Sequence, residues 1–122
     1  MTRRMPKTIL IVDDDPNIRD YLETLLSDNG YDTLTAENGE KALEVLAANT
    51  PDLITLDIEM PERTGPWFNR ALSRSKTHAN IPIIVITGHV GLKYVIPNAV
   101  GSLSKPFEPA ELLALVRETI GS

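Results

Sequence analysis

The chain has 122 residues, a length that suits one compact domain and leaves no room for a second of any size. Its net charge of −5 sets the surface as a whole against nucleic acid and anionic membrane, and no stretch approaches the ~18 apolar residues of a membrane span. The sequence has no cysteine, which excludes disulfides and thiolate metal sites and fits a reducing compartment.

Residues 1–7, Met1-Thr2-Arg3-Arg4-Met5-Pro6-Lys7, read as a short basic tail ahead of one domain over residues 8–121. Asp13 interrupts the apolar run that follows, so no signal-type segment is read there, and the expectation is a cytoplasmic protein. Ile9 to Val12 is short, continuously apolar and β-branched, the pattern of a strand buried on both faces. Asp15 is placed to cap the next helix, with Pro16 at its first position. Ile18, Tyr21, Leu22, Leu25 and Leu26 recur at helical spacing, and Asn29-Gly30 stops the helix with residues that tolerate positive φ.

Thr33 to Ala36 reads as a weaker strand, and Asn38-Gly39 as a turn. Ala42, Leu43, Val45 and Leu46 mark a second helix, closed by Asn49-Thr50-Pro51. Leu53 to Asp57 is the third strand, Pro66 opens a third helix through Trp67, Ala71 and Leu72, and Ile83 to Thr87 is the fourth strand. Val100 to Leu103 is a short fifth strand, and Glu108-Pro109 opens a last helix with Leu112, Leu113, Val116 and Ile120 on one face. Strand and helix alternate throughout, apart from a poorly formed segment from Gly91 to Asn98. That alternation predicts an α/β fold: a parallel sheet with helices on both faces and right-handed crossovers.

Two of the apolar strands end in carboxylates: Asp13-Asp14-Asp15 after the first and Asp57 after the third. In an open parallel sheet the strand C-termini share one edge, where ligands bind. Carboxylates gathered there repel, by roughly 4 kcal/mol per contact at about 4 Å and an effective dielectric of about 20. A hard divalent cation with oxygen ligands relieves that repulsion. Thr87 and Lys105 fall at the same edge. Asp57 then supplies a carboxylate able to attack phosphorus, Asp13 and Asp14 a seat for Mg²⁺, Thr87 a hydroxyl donor and Lys105 a point charge for phosphoryl oxygens. Phosphoryl transfer needs mainly such positioning and charge neutralisation. Asp15 reads as a cap and not as a ligand.

The stretches Ile9-Leu10-Ile11-Val12-Asp13-Asp14-Asp15, Leu56-Asp57-Ile58-Glu59-Met60-Pro61, Gly65, Val85-Ile86-Thr87-Gly88 and Ser104-Lys105-Pro106-Phe107 come in an order and spacing that resembles the receiver domain of two-component response regulators. The resemblance runs roughly from Lys7 to Ile120. It implies a doubly wound, flavodoxin-like five-stranded sheet of order 2-1-3-4-5. It implies Asp57 as the phosphoacceptor, Asp14 as a direct ligand of Mg²⁺, Asp13 as an acid that holds the metal mainly through water, and the backbone carbonyl of Glu59 as a further ligand. Thr87 and Lys105 match the groups that bind phosphoryl oxygens, and the bond from Lys105 to Pro106 is expected to be cis, a form that is cheap only before proline. The implied donor is a sensor histidine kinase or a histidine phosphotransfer protein. The implied role is not that of an enzyme beyond Mg²⁺-dependent self-phosphorylation from a donor and autodephosphorylation.

Three departures stand against that pattern. Ser102 occupies the place of a Phe or Tyr that many receivers use as a rotameric switch. The interval from Thr87 to Lys105 is about one helical turn, ~4 residues, short. Pro97, with Gly91 before it, predicts a shortened or irregular fourth helix, since proline inside a helix costs ~3 kcal/mol. The chemistry is expected to survive these changes, whereas the usual output switch is in question.

His78 and His89 read as loop histidines, although His89 and Glu59 lie close enough to Thr87 and Asp57 in sequence to tune the lifetime of a phosphorylated form. Arg63, Arg70, Arg74 and Lys76 read as a solvated basic face, and Trp67 as a half-buried anchor. No output module follows Ser122 in this sequence, so output is expected through contact with a protein not identified by the sequence, or through a part not present here; a homodimer stays open. Two other readings remain: a receiver-like binding module that works without phosphate, and a small phosphohydrolase with an aspartyl nucleophile. Against the second, Glu59 stands where such enzymes need an Asp as general acid, and the chain has no room for a cap domain.

Overall fold

The computed structural model describes residues 6–58, 65–88, 96 and 99–121. Along the chain come β1 (Thr8–Val12), α1 (Pro16–Asp28), β2 (Asp32–Ala36), α2 (Gly39–Leu46), β3 (Leu53–Leu56), α3 (Gly65–Ser73), β4 (Ile83–Thr87), β5 (Gly101–Ser104) and α4 (Pro109–Ile120). The five strands form one parallel sheet in the order β2-β1-β3-β4-β5. This is the order expected from the resemblance. β1, β3 and β4 fill the three inner places, and every residue of β3 and β4 is buried. Their continuous apolar runs follow from that position, because a strand with helices on both sides has no solvent face to make polar.

Alternation along these strands divides the core in two. Leu10, Val12, Ile54, Leu56, Ile83 and Val85 point to the side of α2 and α3, where Ala42, Leu46, Phe68 and Leu72 meet them. Ile9, Ile11, Leu53, Ile84 and Ile86 point to the other side and meet Leu22 and Leu26 of α1 and Leu112 and Val116 of α4. Such residues, removed wholly from water, each contribute roughly 1.5–3 kcal/mol of burial free energy.

The helix ends obey local chemistry. Asp15 caps α1, its carboxylate accepting from the Asn17 amide at 2.9 Å, with Pro16 in the first turn. Gly30 follows the helix at φ 92°, a conformation that favours glycine. Asn38 does more than turn the chain: its side-chain oxygen accepts from the Lys41 amide at 2.8 Å and caps α2, so that Gly39 becomes a buried first residue of that helix.

β5 is the least apolar strand, and all four of its residues are only partly buried. It lies so close to α4 that a Cβ on Gly101 would come within 2.6 Å of Leu115 Cδ2. Trp67 is half-buried against the α2–α3 side of the core, as its sequence context suggests. Gly91 and Pro97, on which the expectation of an altered fourth helix rests, lie outside the described residues, as do Glu59, Arg63 and His89. Ile96 in the same connection is buried against the α2–α3 side of the core. No helix among the described residues is long and apolar enough to cross a membrane.

Candidate phosphoacceptor site

The residues singled out at the strand ends are each fixed to a neighbouring strand by one backbone bond. The Asp13 amide donates to the Ala36 carbonyl at 3.1 Å, the Asp57 amide to the Val12 carbonyl at 2.9 Å, and the Lys105 amide to the Thr87 carbonyl at 2.8 Å. The ladder thus runs one step past the strands. It places Asp13 at the end of β1, Asp57 beside it at the end of β3 and Lys105 past β5, with fully buried Thr87 closing β4. The bond between Lys105 and Pro106 is cis, as the resemblance implied.

The side chains converge. Lys105 reaches back over the sheet edge, its Nζ 2.9 Å from Asp13 Oδ2 and 3.4 Å from Asp57 Oδ2. Asp13, Asp14 and Asp57 each offer a carboxylate oxygen, and these atoms lie within 4.8 Å of one another. Asp13 and Asp57 are buried, at 2% and 6% exposure, whereas Asp14 is exposed. Burial would by itself lower the pKa of the Lys105 ammonium. The hydrogen bond to Asp13 and the charges of Asp13 and Asp57 together outweigh it and hold the group above the ordinary lysine value.

The two neighbouring acids have different surroundings. Asp13 Oδ1 accepts from the Asp15 amide at 3.0 Å while Oδ2 takes the Lys105 ammonium, so both oxygens are engaged. Asp14 belongs to the same cluster but is exposed. Three carboxylates and one ammonium leave a formal charge of minus two, which one divalent cation would balance. The donors are hard oxygens, the set that suits Mg²⁺. Asp13, Asp14 and Asp57 therefore fit the ion in number, charge and chemistry. The carbonyl of Glu59, expected as a further ligand, lies outside the described residues.

One participant is not evident from the strand-end pattern. Arg19, in the first turns of α1, donates through Nη1 to the backbone carbonyl of Asp13 at 2.8 Å. A cation so near the positive end of a helix dipole is disfavoured unless something nearby compensates. Three aspartates immediately before that helix were the available signal.

The model of the response regulator receiver domain family matches residues 9–117. Protein Rrf1 of Nitratidesulfovibrio vulgaris is 39% identical over 118 residues, which cover 97% of this chain and 86% of that protein. The phosphate regulon transcriptional regulatory protein PhoB of Pseudomonas aeruginosa is 38% identical over 118 residues, 93% of this chain but 52% of PhoB, so the chain spans about half of that longer relative. Among solved structures, a putative response regulator from Chloroflexus aurantiacus superposes with a TM-score of 0.89 at 32% identity, covering 97% of this chain and 100% of that one. The response regulator protein TrrA of Thermotoga maritima, solved in complex with Mg(2+)-BeF, gives 0.84 at 36% identity, covering 93% of this chain and 98% of that one. Sequence pattern, sheet order and these likenesses agree, and the chain belongs to the response regulator receiver domain family.

Proposed function

We propose that this receiver domain accepts a phosphoryl group on Asp57 from a phosphohistidine of a kinase or histidine phosphotransfer partner, and passes the change to an output protein by contact. The observation that carries this reading is the Lys105 ammonium held between Asp13 and Asp57 at the strand ends, with three carboxylate oxygens within 4.8 Å.

The chemistry assigns one role to each group. A carboxylate oxygen of Asp57 attacks the phosphorus, an O–P bond forms, the N–P bond to the donor imidazole breaks, and the electron pair leaves on that nitrogen. Thr87 Oγ1 donates a hydrogen bond to one phosphoryl oxygen. The Lys105 ammonium, already 3.4 Å from Asp57 Oδ2, follows the new negative charge outward onto another. Asp13, Asp14 and Asp57 would hold Mg²⁺, which when bound neutralises charge between the carboxylate and the incoming phosphoryl group. The burial of Asp13 and Asp57 keeps water from competing for these contacts and strengthens them. The fit of hard oxygen donors supports Mg²⁺, and the solved complex of TrrA with Mg(2+)-BeF supports it by likeness.

Mg²⁺ with acetyl phosphate is expected to add one phosphoryl group to the wild type and none to Asp57→Asn, read by intact mass. Equal modification of the variant would refute the assignment. Ser102, small and only partly buried in β5 where many receivers carry an aromatic switch, favours a second reading in which partner binding does not depend on phosphate. Partner affinity left unchanged by Asp57→Ala would select that reading.

A further inference from the structure

We infer that Arg19 is a positioning residue for the metal-binding carboxylates: its guanidinium holds the Asp13 carbonyl and so aims Asp14. The inference rests on the phosphoacceptor reading and deepens it. The peptide that joins Asp13 to Asp14 is planar, so the direction of the Asp13 carbonyl fixes the direction in which the chain enters Asp14. The carbonyl accepts from Arg19 Nη1 at 2.8 Å, and the Asp13 amide on the other side of the residue donates to the Ala36 carbonyl at 3.1 Å. Asp13 is therefore clamped at both of its peptides, once by β2 and once by α1.

The Asp14 side chain is exposed, and among the described residues no hydrogen bond clamps it. Its aim depends on the backbone that delivers it. The Arg19 backbone is fixed in the first turn of α1, its amide donating to the Asp15 carbonyl at 3.0 Å, and the residue lines a cleft between α1 and α2 together with Thr35, Ala36, Glu37, Lys41 and Glu44. A planar guanidinium presents its donors in a fixed fork, so the bond to the carbonyl has a defined direction. Groups that orient ligands from behind typically alter metal affinity by 10–100-fold when removed.

The sign of the effect separates positioning from simple electrostatics. Removing a positive charge next to an acidic cluster would, through space alone, make the cluster more attractive to a cation and tighten Mg²⁺ binding. Loss of aim weakens it. Calorimetric titration of Mg²⁺ into the full chain reads this directly, without any phosphoryl transfer. Arg19→Met is expected to weaken Mg²⁺ at least about tenfold. Arg19→Lys, which keeps a donor and a charge, is expected to recover most of the affinity.

Labelling by acetyl phosphate supplies the second readout. In Arg19→Met the Mg²⁺ concentration for half-maximal rate rises, while the rate at saturating Mg²⁺ returns close to the wild-type value. Arg19→Gln, too short to reach and neutral, carries the same expectation should Arg19→Met fail to fold. Unchanged or tighter Mg²⁺ binding in a folded Met or Gln variant overturns the inference. A wild type that binds no Mg²⁺ brings down the phosphoacceptor reading itself, and the inference with it.

Discussion

The two edges of the sheet carry acids in opposite circumstances. At the edge where strands begin, Asp52 is closed into a reciprocal clasp: its amide donates to the Thr8 carbonyl at 2.8 Å and its carboxylate accepts from the Thr8 amide at 2.8 Å. Nearby the Tyr31 hydroxyl donates to the Gly121 carbonyl at 2.7 Å. Each of these polar groups is answered by one close neighbour. At the edge where strands end, three carboxylates cluster and two of them, Asp13 and Asp57, share one ammonium. A parallel strand leaves amide donors at its start and carbonyl acceptors at its end, so Asp52 finds a strand amide at the start, whereas Asp13 at the end finds one only beyond its strand, on Asp15. The contrast teaches where to look for function: at one edge acids complete the fold, and at the other they are left to cations.

Four experiments bear on that contrast. If only the second edge calls for a cation, Mg²⁺ at about 100 Kd should raise unfolding free energy by ~2.7 kcal/mol, read by urea denaturation. Asp14→Asn should remove most of the gain. A wild-type transition that does not move in Mg²⁺ breaks the comparison. Asp52→Ala should cost roughly 1.5–3 kcal/mol of stability, the range for a hydrogen bond to a charged group, and leave Mg²⁺ affinity as it was. A change in that affinity would mean that the two edges are coupled.

Between the edges, Thr55 on β3 is 1% exposed and its hydroxyl has no hydrogen-bond partner among the described residues. Thr55→Val should therefore stabilise by about 1 kcal/mol, because it replaces an unsatisfied hydroxyl with a methyl group of similar shape. Loss of stability in the same assay would point to an ordered water at that hydroxyl. The smallest effect concerns pH. The pKa of Lys105 is raised in the folded state, so its contribution is complete below the unfolded lysine value of about 10.4 and is lost as pH rises through the folded value. The stability difference between wild type and Lys105→Met should stay flat from neutral pH to that point and shrink only in stronger alkali. A slope near neutrality would contradict the arrangement.

The inner strands were legible because complete burial selects almost entirely apolar residues, with Thr55 and Thr87 the polar ones in Ile9–Val12, Leu53–Leu56 and Ile83–Thr87. The outer strands were read less sharply. The sequence suggests Val100 to Leu103 for the fifth strand, whereas the strand is Gly101–Ser104 and Val100 is 50% exposed. Apolar character pulled the reading one residue early, while pairing of Ser104 with Thr87 extends the strand at its other end. Asn38 shows the same limit at a helix start, since an Asn-Gly pair serves a turn or a cap equally well until the partner amide is known. At the edge with the acids, the residues of the cluster were legible because they sit at strand ends in a fixed chemical pattern. Arg19 was not, because its partner is a backbone carbonyl and carbonyls have no letter in the sequence.

The close approach at Gly101 reaches further than its small size suggests. β5 runs from that residue directly to Lys105, so whatever sets the gap between this strand and α4 also gauges how far the ammonium extends across the sheet edge. A methyl group at 101 would force Leu115 to turn aside or the strand to lift, and a lifted strand would carry the lysine head away from its two acids. The missing side chain thus works as a spacer, and a single hydrogen atom helps to hold a charge at its post four residues later.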